Sequence, residues 1–259
     1  MRIRAIGAAV TGALALSAFA IPAAHADEVV GDTAISNIVV NGGKPVVLSA
    51  TGTKTITVTF TVKDASGVDY AEAILYHGAD IDSSDTGALA NSSDYHATCT
   101  DTSATSANCK ATYTLDQGST VLNKHAGTWN IWAIAAGNDS DYVIKEHAKS
   151  FKVQRLSKLT VNAAPEPVKK GKTITVTGKL SRANWDAGTY SGYASQPVKL
   201  QFRKKGSSTY TTVKTIKTTS TGALKTTVTA SADGYYRYSF AGTSTTPAVN
   251  ATGDYIDVQ

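Results

Sequence analysis

Apolar and polar residues alternate along most of this chain. The alternating runs are short, rich in Thr, Val, Ile and Tyr, and bounded by Gly, Ser, Asp or Pro, which is the period of a half-buried β-strand. In the second half they predict strands over Lys158–Ala163, Thr173–Leu180, Val198–Arg203, Tyr210–Lys217, Leu224–Ala230, Tyr235–Ala241 and Asp254–Val258. The first half predicts Ile35–Val40, Val46–Ser49, Thr55–Lys63, Tyr70–Tyr76, His96–Thr100, Lys110–Leu115, Trp129–Ala135 and Ala148–Val153, with one short helix over Ser119–Lys124. Many short strands separated by turn residues indicate an all-β chain of two tandem immunoglobulin-like β-sandwiches.

An internal repeat supports two related units. The hexapeptide KTITVT occurs at Lys54–Thr59 and again at Lys172–Thr177, each time opening a strand. Further on, AGTWNIWAIAAGN in the first half and DGYYRYSFAGT in the second share a Gly-x-aromatic-x-apolar pattern, through Trp129 and Ile131 in one and Tyr236 and Tyr238 in the other. Charge divides the chain at the same place. Asp27–Arg155 carries 9 Lys/Arg against 15 Asp/Glu, net −6, while Leu156–Gln259 carries 14 against 5, net +9. The expected division is therefore an acidic domain over 27–155 and a basic one over 156–259, joined by FKVQRLSKLTV, which has no Gly, Pro or carboxylate. That composition argues for limited flexion and against calcium held between the domains.

Residues 1–26 read as a cleaved signal peptide: Arg2 and Arg4, an apolar run from Ala5 to Phe19, then Ala24-His25-Ala26 as a small-x-small cleavage site. No other segment approaches the roughly 18 apolar residues of a membrane span. The expected location is secreted, either extracellular or associated with the cell wall. In an exported chain the two cysteines, Cys99 and Cys109, pair most simply with each other across the polar turn TDTSATSAN. Such a staple constrains the unfolded chain by about 2.8 kcal/mol in the loop-entropy model. A redox or metal role lacks the C-x-x-C spacing.

The DASGV turn and AGTW of the first half, with KKGKTITVTGKLSR, QPVKLQFRKKGSSTYTTV, GYYRYSFAGT and the closing DYIDV of the second, resemble secreted two-domain immunoglobulin-like proteins of actinomycetes. The resemblance implies tandem sandwiches and a calcium-binding label, with no defined ligand set. Calcium takes six to eight oxygens, usually several of them carboxylates on one loop. Two loops offer such oxygens: GADIDSSDTG through Asp80, Asp82 and Asp85, and GNDSDY through Asn138, Asp139 and Asp141. Neither follows the EF-hand pattern. They stand as a weak calcium site or as solvated acidic turns.

No hydrolase signature of the H-E-x-x-H or G-x-S-x-G kind is present, and His77, His96, His125 and His147 are not spaced to share one helical face. The chain is expected to bind or space, not to catalyse; an enzyme whose site is assembled from scattered residues is the third reading, because triads form in space. If strands alternate in direction, the turns carrying Lys169, Lys170 and Lys172 and carrying Arg203, Lys204 and Lys205 fall together at the end of the basic domain far from the acidic one. There they either keep the surface soluble or dock an anionic wall polymer, phospholipid or another extracellular protein; nucleic acid is the disfavoured partner. The loop Arg182–Gln196 falls at the near end, where Trp185, Tyr190 and Tyr193 either stack on carbohydrate or pack against the first domain. On the penultimate strand, Tyr236, Tyr238 and Phe240 share the core face, leaving Tyr235 and Arg237 on the other. Gly234-x-Tyr236 sits where a tyrosine corner is expected.

Overall fold

In the computed structural model, residues 27–259 are described; the signal peptide expected over residues 1–26 lies outside them. The first half contributes β1 (Glu28–Val30), β2 (Ala34–Val40), β3 (Val46–Leu48), β4 (Thr53–Lys63), β5 (Val68–His77), β6 (Thr86–Ala88), β7 (Thr98–Ser103), β8 (Ser106–Asp116), β9 (Gly127–Gly137) and β10 (Tyr142–Arg155). The second contributes β11 (Ser157–Leu159), β12 (Asn162–Ala164), β13 (Thr173–Asn184), β14 (Thr189–Gly192), β15 (Pro197–Lys204), β16 (Thr211–Lys217), β17 (Ala223–Thr229), β18 (Gly234–Phe240), β19 (Val249–Asn250) and β20 (Asp254–Ile256).

Alternation explains which face each strand buries. In β4, Ile56, Val58, Phe60 and Val62 point inward while the intervening threonines face out, and β8 answers with Ala107, Cys109, Ala111, Tyr113 and Leu115. The sheet β2-β4-β8-β7 packs against a second sheet, β1-β10-β9-β5-β6, whose inward Trp129, Ile131, Leu75 and Val143 belong to the same buried cluster. Four strands in this order facing a three-strand core of β10-β9-β5 is the arrangement of an immunoglobulin-like sandwich. Cys99 and Cys109 are directly opposed in the β7–β8 pair and form the disulfide.

The second half repeats the plan. β13 pairs with β11, β12, β14 and β17, and the facing sheet is β16-β15-β18 with β19 and β20 on its far edge. Their inner faces supply Ile174, Val176, Leu180, Leu200, Tyr238 and Phe240 to a second cluster. Each fully buried Leu, Ile, Val or Phe contributes about 1.5–3 kcal/mol relative to exposure. Gly178 is required here, because a Cβ would lie 2.3 Å from the Thr160 carbonyl and 2.8 Å from the Tyr238 ring. The hydroxyl that reaches back to upstream backbone is that of Tyr238, donating to the Val176 carbonyl at 2.9 Å, and not that of Tyr236 as the corner motif suggested.

The helix expected over Ser119–Lys124 does not form. Gly118–Thr120 is a turn, Val121 is fully buried, and only Asn123–His125 makes a 3-10 turn. Val121 is pinned to the core, and too few residues remain to nucleate an α-helix.

Candidate functional site

The junction between the two halves of the chain is the most extensively built feature outside the two buried clusters. β10 ends at Arg155 and β11 begins at Ser157, so one residue separates the halves. Arg155 is 8% exposed; its backbone N–H donates to the Thr245 carbonyl and its Nε to the Ala183 carbonyl at 2.6 Å. Burial, with the neighbouring charge of Arg182, draws its guanidinium down to about 10, still protonated at neutral pH. Gln154 donates to the Thr243 carbonyl, and Ser157 to that of Pro247.

From the second half, β13 continues past its own sandwich and delivers Ala183 and Trp185 into the core cluster of the first. Trp185 is 1% exposed. Asn123 fixes this loop: its N–H and Nδ2 donate to the Asp186 carboxylate, Nδ2 also donates to Asn184 Oδ1 at 2.6 Å, and its Oδ1 accepts the Trp185 N–H. Asp186 thus brings to the junction a carboxylate that the linker sequence lacks. Tyr190 packs on the first cluster with Lys158 Nζ 3.6 Å above its ring, and Tyr193 on the second with the Arg182 guanidinium 3.9 Å above. Of the three aromatic candidates in this loop, Trp185 is enclosed as a packing residue and both tyrosines carry a cation on the ring.

The turn that holds Asn123 is itself braced by His125, 3% exposed, whose Nδ1 accepts the Leu122 N–H at 2.9 Å. That bond places the proton of the neutral ring on Nε2, which faces Asp85 Oδ2 at 3.6 Å. Burial lowers His125; the Asp85 charge opposes this, and Lys124 and His77 add to it. Asp85 also meets His77 Nδ1 at 2.7 Å and Lys124 Nζ at 3.3 Å, and these partners outweigh burial to hold its carboxyl below the usual range. Asp85 is therefore directed toward a histidine pair, while Asp80 accepts the Ser83 N–H.

Strand direction separates the two acidic loops: β5 delivers Asp80, Asp82 and Asp85 to the junction end, beside His125, and the second loop lies at the far end. β10 runs from Tyr142 to the junction, so the turn before it, Asn138, Asp139 and Asp141, lies at the opposite end. There Asp141 meets Asp32 and Asp64, with one carboxylate oxygen from each within 4.8 Å of the others. Asp64, from the DASGV turn, is 2% exposed. Burial would raise its carboxyl, but donors from Ser66 and the Thr33 hydroxyl outweigh it and hold it below its ordinary value. Asp141 Oδ2 accepts the Asp32 N–H, Asp32 accepts the Ala65 N–H, and Asn138 Nδ2 donates to the Ser66 carbonyl. Sequence reasoning found Asp141 and missed Asp32 and Asp64. The single short turn KDASG hides a carboxylate that is close in space, not in sequence.

The basic turns lie at the other extreme. β13 starts at Thr173 and ends at the junction, which puts Lys169, Lys170 and Lys172 at its far end. β15 ends there too, with Lys204 opposite Gly234, and Arg203, Lys204 and Lys205 cluster at that end. Backbone bonds from Gly171 to Ala230 and from Lys205 to Asp233 tie both turns to the same β17–β18 connection.

No family model matches this chain, and no characterised protein matches it in sequence. Solved structures similar to it include the D00-D0 domain of intimin (13% identity, TM-score 0.28, 86% of this chain and 99% of that one). The D0-D1 domain of intimin gives 20% identity and a TM-score of 0.27 over 86% and 98%. Titin domains z1z2 in complex with telethonin give 10% and 0.23 over 88% and 96%. Superpositions this loose leave the sandwich assignment resting on the chain's own strand order.

Proposed function

We propose that this chain is an exported, non-catalytic binding or spacer protein in which two immunoglobulin-like domains, residues 27–155 and 156–259, act as one stiff unit outside the cell. Insertion of Trp185 into the core cluster of the other half carries this reading, because separating the halves would expose a large aromatic ring that is 1% exposed in place. The disulfide fits an oxidising compartment. Among the described residues no helix is long and apolar enough to cross a membrane. Small-angle scattering on the mature protein tests the stiffness: one extended profile is expected at every salt concentration, and a broad distribution of inter-domain angles would remove the reading.

Calcium is the second reading, favoured by the convergence of Asp32, Asp64 and Asp141. Three carboxylates this close repel, and a divalent cation relieves that repulsion. Titration calorimetry with calcium is expected to show binding in the millimolar range typical of weak extracellular modules, abolished by D32N/D141N and retained by D80A/D82A/D85A. Absence of heat in the wild type rejects calcium and leaves the spacer reading intact.

A further inference from the structure

The outer face of the β16-β15-β18-β20 sheet carries an interlocked row of cations and rings. Antiparallel register sets Arg203 opposite Tyr235, Gln201 opposite Arg237, and Tyr235 opposite Tyr255. Arg203 lies 4.1 Å above the Tyr235 ring and 5.3 Å from Tyr210, while Arg237 lies 3.7 Å above Tyr210. Lys205 closes the row at 5.6 Å from the Tyr255 ring. Each guanidinium is fixed by a protein acceptor: Arg237 Nε donates to Gln201 Oε1 at 2.9 Å, and Arg203 Nη1 to the Ser207 carbonyl at 2.7 Å. Among the described residues the one ion pair on this face is Lys205 with Asp233, at its edge. Neither arginine has a carboxylate partner there, and the half of the chain that carries them is net +9.

We propose that this face docks a linear phosphodiester polymer without bases, a polyol-phosphate chain. Stacking on tyrosine holds a guanidinium plane flat and pre-organises its remaining N–H groups as a fork, the geometry that matches phosphate oxygens in pairs. Arg203 and Arg237 sit at diagonal positions of neighbouring strands, about 7–8 Å apart at the backbone. A three-carbon polyol phosphate repeats every six backbone bonds, a stretch of about 7 Å when extended, so successive phosphates meet successive arginines. Nucleic acid fits less well: single-strand binding uses open aromatic faces for base stacking, and here Arg237 covers Tyr210 and Arg203 covers Tyr235. The inference deepens the binding half of the proposed function, and it is independent of the stiffness read by scattering.

Retention of the mature protein on immobilised poly(glycerol phosphate), across a salt series, tests it. R203K/R237K keeps the charge and loses the fork; it is expected to weaken binding by about tenfold with the salt slope little changed. K169Q/K170Q/K172Q, on the neighbouring turn, is expected to lower the salt slope and weaken binding by less than about threefold. Unfolding midpoints are recorded for both, and if the double variant is destabilised, R237K alone, which leaves the Arg203–Tyr235 pair intact, supplies the comparison. Wild-type affinity in the arginine-to-lysine variants overturns the proposal. So does equal or tighter retention on a single-stranded oligonucleotide or a polyglutamate of the same charge number.

Discussion

The same six residues, KTITVT, open both β4 and β13, and the two strands bury the same positions: Ile56 and Val58 in one, Ile174 and Val176 in the other. Beyond the hexapeptide the two strands diverge. β4 runs away from the junction and ends in Lys63-Asp64, placing a buried carboxylate at the acidic end of the molecule. β13 runs toward the junction and ends in Arg182-Ala183-Asn184, so that Trp185 enters the other core. A shared alternating segment thus fixes a common core strand, and the residues just beyond it decide whether the strand ends at an open pole or at a clamp.

The largest test of that contrast is removal of the clamp. Trp185→Ala is expected to cost about 3–5 kcal/mol, measured by denaturant unfolding, and to split one cooperative transition into two as the halves uncouple. A loss below about 1 kcal/mol with a single transition would show that Trp185 is not what couples them. Next comes the staple, which lies wholly within the first half: added to Trp185→Ala, C99S/C109S is expected to lower the first-half transition by about 2–3 kcal/mol and to leave the second-half transition unmoved.

Smaller effects separate the pole from the clamp by pH. At the pole, Asp64 is held below its ordinary value of 3.8, so the unfolded chain takes up its proton first as pH falls. The stability it confers is complete above that value and declines below it; Asp64→Ala, which strands Thr33 and Ser66, is expected to cost about 1–3 kcal/mol at neutral pH and to flatten the acid limb. At the clamp, His125 is held below 6.5, so the stabilisation by its neutral ring is full above pH 6.5 and erodes below it as the unfolded state gains the proton. Unfolding measured from pH 7.5 to 5 in wild type and His125→Gln reads this: the wild type is expected to lose stability with falling pH and the variant to lose less.

Much of the fold was legible because alternation and turn residues are local properties. Each expected strand has an observed counterpart except that Lys158–Ala163 is broken at Thr160-Val161 into β11 and β12, and β4 and β8 differ from expectation only at their ends. The short edge strands β1, β6 and β14 escaped, since three or four residues carry too little periodicity and pair only because a neighbour offers an edge. The candidate sites were less legible. Asp141 was found on its loop, while its neighbours Asp32 and Asp64 come from separate turns brought together by sheet closure. Tyr210 and Tyr255 attracted no notice in sequence, because a cation–ring row is assembled across strands and no single segment contains it.

The amino-acid sequence by itself determined the all-β character, the inward faces, the cysteine pair and the division of charge, because each depends on residue type at short spacing or on composition. Tertiary structure alone decided that Trp185 belongs to the core of the other half, that three aspartates converge, and that two arginines lie over tyrosine rings. Those outcomes depend on strand direction, register and the meeting of loops far apart in the chain, where the energy of a contact depends on distance in space.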